Sequence, residues 1–141
     1  MAMETAKKLT EEIRSGLVLS HLVVHKEGAF INVGEHFTIR FICSNFCEMT
    51  NVVFKDPRIF IAKTQFARPG DGEKWYHFAD KKLAHSEKTE IDIDFIATDA
   101  YGGVNNPEDV ARVIVYADLD LATFFSFGYE KTFKADIQIN T

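Results

Sequence analysis

Cysteine, proline and tryptophan are scarce in this chain: two, three and one residues in 141. Two thiols cannot build the disulfide framework of a small secreted scaffold, nor supply four ligands to a closed zinc site. Three prolines and eight glycines exclude a collagen-like or low-complexity polymer. Positive charge is in deficit as well. Lys plus Arg is 16 against 21 for Asp plus Glu, a formal net charge of −5. The basic stripe that a phosphate backbone requires is not expected in such a chain, so nucleic acid is not an expected partner. No run approaches the roughly 18 apolar residues of a membrane helix. The first fourteen residues hold no apolar signal core of about 7–15 residues. The expectation is a cytoplasmic, soluble protein with no membrane partner.

Signatures of common chemistry are missing too. There is no G-x-x-x-x-G-K-[ST] phosphate loop and no G-x-G-x-x-G between a strand and a helix. Neither a G-x-S-x-G elbow nor an H-E-x-x-H pair occurs. For nucleophilic catalysis the chain offers only Cys43 or Cys47 with a histidine, or His77 with Asp80. Nothing in the sequence sets a cation beside either thiol to lower its pKa. Both cysteines, spaced C-x-x-x-C, read as structural thiols. The reading leans away from an enzyme and implies no cofactor.

What is present is a globular composition, 46% hydrophobic and 26% charged. The length suits one domain with its own core. Residues 4–14 carry a thin helical stripe of Thr5, Ala6, Leu9 and Ile13, with Gly16 as a stop signal. Residues 1–16 are therefore expected to be a short helical extension and 17–141 the main domain. After Gly16 the period becomes two. Phe37, Ile39, Phe41 and Cys43 alternate with His36, Thr38 and Arg40. Ile91, Ile93, Phe95 and Ala97 alternate with Glu90, Asp92 and Asp94. Residues 17–24, 51–54 with 58–66, 74–78, 110–117 and 132–139 are further strand material, and 119–127 reads equally as strand or helical turn. Asp56-Pro57 is expected to break a strand at an edge or a start. Seven or eight strands with no βαβ alternation predict an all-β protein, a single antiparallel β-sandwich behind a short N-terminal helix.

The stretch from Phe30 to Asn45 contains Val33-Gly34-Glu35, a V-G-E turn. It leads into Phe37-Thr38-Ile39-Arg40-Phe41, a strand of the form F-T-[VI]-x-[VF] that ends near Asn45. It resembles a recurring piece of immunoglobulin-like adhesion and transglutaminase-type domains. The resemblance implies an immunoglobulin-like sandwich and nothing about chemistry. The Cys–Trp–Cys spacing of antibody domains is absent, because Cys43 and Cys47 are close together and Trp75 follows both.

Three constellations are candidates for a site. Asp92, Asp94, Asp99, Asn105 and Asp109, with Asn106 and Glu108, are the densest group of hard oxygen ligands, the kind calcium prefers. They fit no EF-hand, and the solvated face of a strand explains Asp92 and Asp94 equally well. Trp75, Tyr76 and His77 follow a strong turn, Arg68 to Gly72, and could stack on a sugar ring if exposed or pack in the core if not. Phe124, Phe125 and Phe127 form the second aromatic cluster. A strand there puts Phe125 and Phe127 on one face and leaves Phe124 for a neighbour. The expected role is a non-catalytic protein-interaction or assembly module, self-associating as a homo-oligomer through an edge strand or Phe124–Phe127. A carbohydrate-binding or small-ligand-binding module, calcium-dependent or not, is the alternative.

Overall fold

Alternating apolar residues form strands here because a pleated chain turns every second side chain to the same side. The computed structural model describes residues 11, 13, 15–24, 30–100, 109–119, 126–134 and 138–140. The strands are β1 (Leu17–Val24), β2 (Phe30–Asn32), β3 (His36–Asn45), β4 (Phe54–Ala62), β5 (Ala67–Pro69), β6 (Trp75–His77), β7 (Lys82–Leu83), β8 (Lys88–Ala97), β9 (Asp109–Leu119), β10 (Ser126–Lys134) and β11 (Gln138–Asn140). These exceed the expected seven or eight because several are only two or three residues long. One sheet runs β1-β3-β8-β5. The second runs β10-β9-β4-β6, with β7 also on β4, and β2 pairs with β11 by itself. All the pairings are antiparallel except β2 with β11.

The inner faces of the two larger sheets share one hydrophobic core. Phe37, Ile39, Phe41 and Cys43 are buried from β3, and Ile93, Phe95 and Ala97 from β8. Ile59 and Ile61 of β4 and Val113, Val115 and Ala117 of β9 answer them from the second sheet. Phe41 stands where the sheets meet: its ring centroid is 5.4 Å from that of Phe133 on β10 and 6.3 Å from that of Phe95 on β8. Ile91, expected inside, is only partly buried. At one side of the molecule β10 reaches across to β1. Tyr129 Oη donates to the Leu17 carbonyl at 3.0 Å and Lys131 Nζ to that of Leu19 at 2.6 Å. His21 Nε2 lies 2.7 Å from the Lys134 carbonyl. An edge strand whose carbonyls are engaged in this way offers fewer sites to a foreign strand.

Asn45, the asparagine that closes the resembling stretch, is fully buried and fully bonded. Its Nδ2 donates to the carbonyls of Val52 and Leu83 at 3.0 and 3.1 Å, and its Oδ1 accepts from the Cys47 amide at 3.0 Å. It thereby ties the β3–β4 connection to β7. Gly34, in the V-G-E turn, has φ +93°, a conformation that glycine adopts without penalty. Gly16 is needed for closeness: a Cβ there would lie 2.5 Å from the Cys47 Cα. Ile13, the last residue of the expected helical stripe, is buried in the core. Of residues 4–14, only Glu11 and Ile13 are among the described ones.

Three expectations need correction. Pro57 is not at an edge or a strand start. It lies inside β4, which has β9 on one side and β6 and β7 on the other. The register of β4 on β9 jumps between Lys55 and Arg58, so Pro57 falls in a bulge where no ladder donor is required. Strand β4 ends at Ala62 rather than Phe66. The alternating run 132–139 divides between β10 and β11, which belong to different sheets.

Candidate binding face

The outer face of the five-stranded sheet is built from residues that alternation turns away from the core. Register places Trp75, Phe60, Ile114 and Glu130 in one row across β6, β4, β9 and β10. His77, Arg58, Tyr116 and Gly128 form the next row. Trp75 and Ile114 are exposed, at 43% and 41%. The Trp75 ring meets Phe60 edge-on at 5.7 Å and Tyr116 edge-on at 6.2 Å. Arg58 lies against both rows of rings, its Cζ 4.6 Å from the Tyr116 centroid and 5.9 Å from that of Trp75. Cation–π contact of this kind adds about 0.5–1 kcal/mol where water still reaches the pair.

The bulge in β4 supplies the polar half of the face. Asp56 holds φ +47°, in the left-handed region that Asp tolerates better than most residues. Its amide donates to the Lys81 carbonyl at 2.6 Å, and its own carbonyl accepts from Arg58 Nη1 at 2.8 Å. With the backbone pinned, the carboxylate meets His77 Nδ1 at 2.8 Å and Arg58 Nη1 at 3.4 Å. Asp118, on β9, approaches the same Arg58 nitrogen at 3.5 Å. A guanidinium held by two carboxylates and two rings has little rotamer freedom left. Arg58, Trp75, His77 and Tyr116 line an open depression of about 400 Å³. Gly128 leaves room for the Tyr116 ring beside it: a Cβ there would stand 2.6 Å from that ring and 2.7 Å from the Val115 carbonyl.

Of the sequence-predicted ligand residues, Trp75 and His77 come together on this face and Tyr76 does not. Neighbouring strand residues face opposite ways, so Tyr76 turns into the core, where its hydroxyl donates to the Gly72 carbonyl at 3.0 Å. Trp75 and Tyr76 therefore cannot share one platform. His77 pairs with Asp56, not with the Asp80 considered from sequence. The calcium candidates are drawn to separate partners: Asp92 to Arg40, Asp94 to His36 and Asp99 to Gln65. Asp109 opens β9. Asn105, Asn106 and Glu108 lie outside the described residues. Among the described residues no three His, Cys, Asp or Glu side chains gather as a metal cluster would require. Phe124 and Phe125 also lie outside them, and Phe127 is described by its backbone alone. Both cysteines are buried and unpaired, and burial pushes the Cys43 thiol up to about 12, far from thiolate chemistry.

Asp56, Arg58, Tyr116 and Asp118 were not singled out from the sequence. The signal available for Asp56 was Asp56-Pro57, which reads as a break rather than as a bulge that aims side chains. The others are single outward residues of two strands, and only the register brings them together.

No family model and no curated protein sequence matches this chain. Solved structures with weak likeness to it include AvmM, which catalyses macrocyclization in alchivemycin A biosynthesis, at 8% identity, TM-score 0.38, 85% of this chain and 88% of that one. A second is the Pseudomonas fluorescens alkylpurine DNA glycosylase AlkC bound to DNA containing an abasic site analog, at 14% identity and TM-score 0.35. A third is the sporulation control protein Spo0M of Bacillus subtilis, at 10% identity and TM-score 0.38. Each of these two is matched over 89% of this chain, which spans 31% of the glycosylase and 50% of Spo0M. Among the described residues no helix is long and apolar enough to cross a membrane.

Proposed function

We propose that this chain is a non-catalytic binding module of immunoglobulin-like sandwich build that receives a small ligand on the outer face of its five-stranded sheet. Strand order supports the architecture. Sheets β1-β3-β8-β5 and β10-β9-β4 follow the ABED and GFC orders of constant-type immunoglobulin domains, with β6 and β7 added after the fourth strand. One observation carries the functional reading: Arg58 is fixed by Asp56 and Asp118 against Trp75 and Tyr116 on a surface open to solvent. Prearranged polar groups beside exposed rings lower the ordering cost of binding. Asp56 and Asp118 are each engaged with Arg58, and Asp56 also with His77, an arrangement that supports a binding role.

Trp75 is the only tryptophan, so its fluorescence reports on this face alone. The experiment is acrylamide quenching of that fluorescence, with chemical denaturation of Trp75→Ala and sedimentation of both proteins. A recognition role predicts ready quenching and a stability loss of about 1 kcal/mol or less. A loss of about 3–5 kcal/mol, as for a core aromatic, would make Trp75 a packing residue and end the proposal. A dimer that Trp75→Ala dissolves would instead give the face to a second copy of the chain, the partner class expected from the sequence.

A further inference from the structure

Charge and shape on this face narrow the ligand class, on the reading that the face is the binding site. Around Arg58 stand two carboxylates, Asp56 and Asp118, at 3.4 and 3.5 Å, and one imidazole, His77, already bonded to Asp56; register sets Lys55 opposite Asp118 and Lys82 opposite Lys55 at the margin of the same face. A phosphate or carboxylate ligand would have to displace one of these anions to reach the guanidinium, and would face the other. A bulky cation would compete with Arg58 for the ring faces it already covers. A flat apolar ligand would bury polar groups without giving them partners. A neutral polyhydroxyl ring brings no charge to the site and carries hydroxyls that can pair with its polar groups. Its C–H face can lie on the exposed part of Trp75, and its hydroxyls can donate to the outer lone pairs of Asp56 and Asp118. Each carboxylate oxygen accepts more than one hydrogen bond, so these contacts do not require the ion pairs to break. His77 contributes its second ring nitrogen. The depression of about 400 Å³ suits one or two sugar rings rather than a long chain.

We infer that the site formed by Trp75, Arg58, His77, Asp56, Asp118 and Tyr116 binds a neutral pyranose, a terminal sugar or disaccharide, by stacking on Trp75 and hydrogen bonding to the two aspartates. The test uses the intact chain on an array of neutral, sialylated and sulfated oligosaccharides, each hit then titrated by Trp75 fluorescence. Neutral hexose-bearing glycans are expected to bind and to change that fluorescence, with affinity altered less than twofold between about 0.1 and 0.5 M salt. Trp75→Ala and, independently, Asp118→Asn are expected to weaken binding about tenfold or more. His77→Ala, at an exposed position, is expected to weaken neutral-glycan binding as well, and unchanged binding would remove His77 from the site. Binding only to sulfated or sialylated glycans, with loss at high salt, would overturn the inference. So would neutral-glycan binding that survives Trp75→Ala, or no response from any neutral glycan. If no glycan binds while Trp75 is accessible and its removal is tolerated, the sugar assignment fails and the binding face stands. If Trp75→Ala unfolds the protein, the face itself is lost as a site.

Discussion

On the outer face of the four-stranded sheet, Arg40 grips Asp92 with two nitrogens, at 2.8 and 3.2 Å, has Glu90 at 3.9 Å, and leaves His36 to Asp94 at 2.7 Å. On the outer face of the five-stranded sheet, the central cation, Arg58, has two carboxylates as well, but it also lies against two aromatic rings. Both faces alternate with a buried one, and both pair charges across strands. They differ in what surrounds the pairs. Among the described residues no aromatic ring lies over Arg40, and its exposed ion pairs are screened by water, so each is worth little. Around Arg58 the rings exclude part of that water and hold the guanidinium flat. The difference teaches that the same cross-strand charge pairing acquires a fixed, partly shielded cation only where aromatic residues occupy the adjoining register positions.

That contrast can be broken or sharpened by substitution. The largest effect belongs to the interior the two sheets share. Phe41→Ala removes a fully buried ring that touches partners in both sheets, and urea unfolding should register a loss of about 3–5 kcal/mol. A loss below about 1 kcal/mol would mean the sheets do not depend on each other. Next comes Asn45→Ala, which strands two buried carbonyls and one amide. The expected cost is about 2–3 kcal/mol by the same measurement. Gly128→Ala acts on the candidate face from the neighbouring strand, where the added Cβ would crowd the Tyr116 ring. It should cost about 1–3 kcal/mol and alter Trp75 fluorescence, because Trp75 touches Tyr116. An unchanged spectrum would show that the rings are not coupled.

The smallest effect is expected on the other face. Arg40→Ala should move the melting temperature by about 2 °C or less at neutral pH. The hydrogen bond from Arg40 holds the Asp92 carboxyl below its ordinary value near 3.8. A lowered carboxyl pKa stabilises the fold above the unfolded value, and that contribution fades as pH falls below about 4. The gap between native chain and variant should therefore close on acidification, as paired thermal melts at neutral and acid pH would show. A gap that widens in acid would reverse the assignment.

Much of the fold could be read in advance where the two-residue period was unbroken. β3 and β8 fall where alternation puts them, β9 falls on the apolar β-rich run 110–117, and the chain is nearly all-β with antiparallel larger sheets. The reading faltered where a strand departs from that period. Asp56-Pro57 was expected to be a break, yet a bulge absorbs both residues and the strand continues. The run 132–139 was expected as one strand, yet its two ends join different sheets. For the candidate face, the sequence points to Trp75, Tyr76 and His77, and alternation keeps the first and last outside while it turns Tyr76 inward. Arg58 and Asp118 lie 60 positions apart in sequence and Asp56 and His77 lie 21 apart, and no local pattern connects them.

The amino-acid sequence by itself determined the inward face of β3 and most of that of β8, because hydrophobic burial acts on each strand through its own two-residue period. Two cysteines also leave no disulfide framework to build, which follows from the count alone. Only the tertiary structure decided which outward residues become neighbours. Strand pairing is a long-range choice of register, and the bulge at Asp56 shifts that register by a local backbone conformation. That shift, together with alternation across β6, β4 and β9, brings Asp56, Arg58, His77, Trp75, Tyr116 and Asp118 onto one surface.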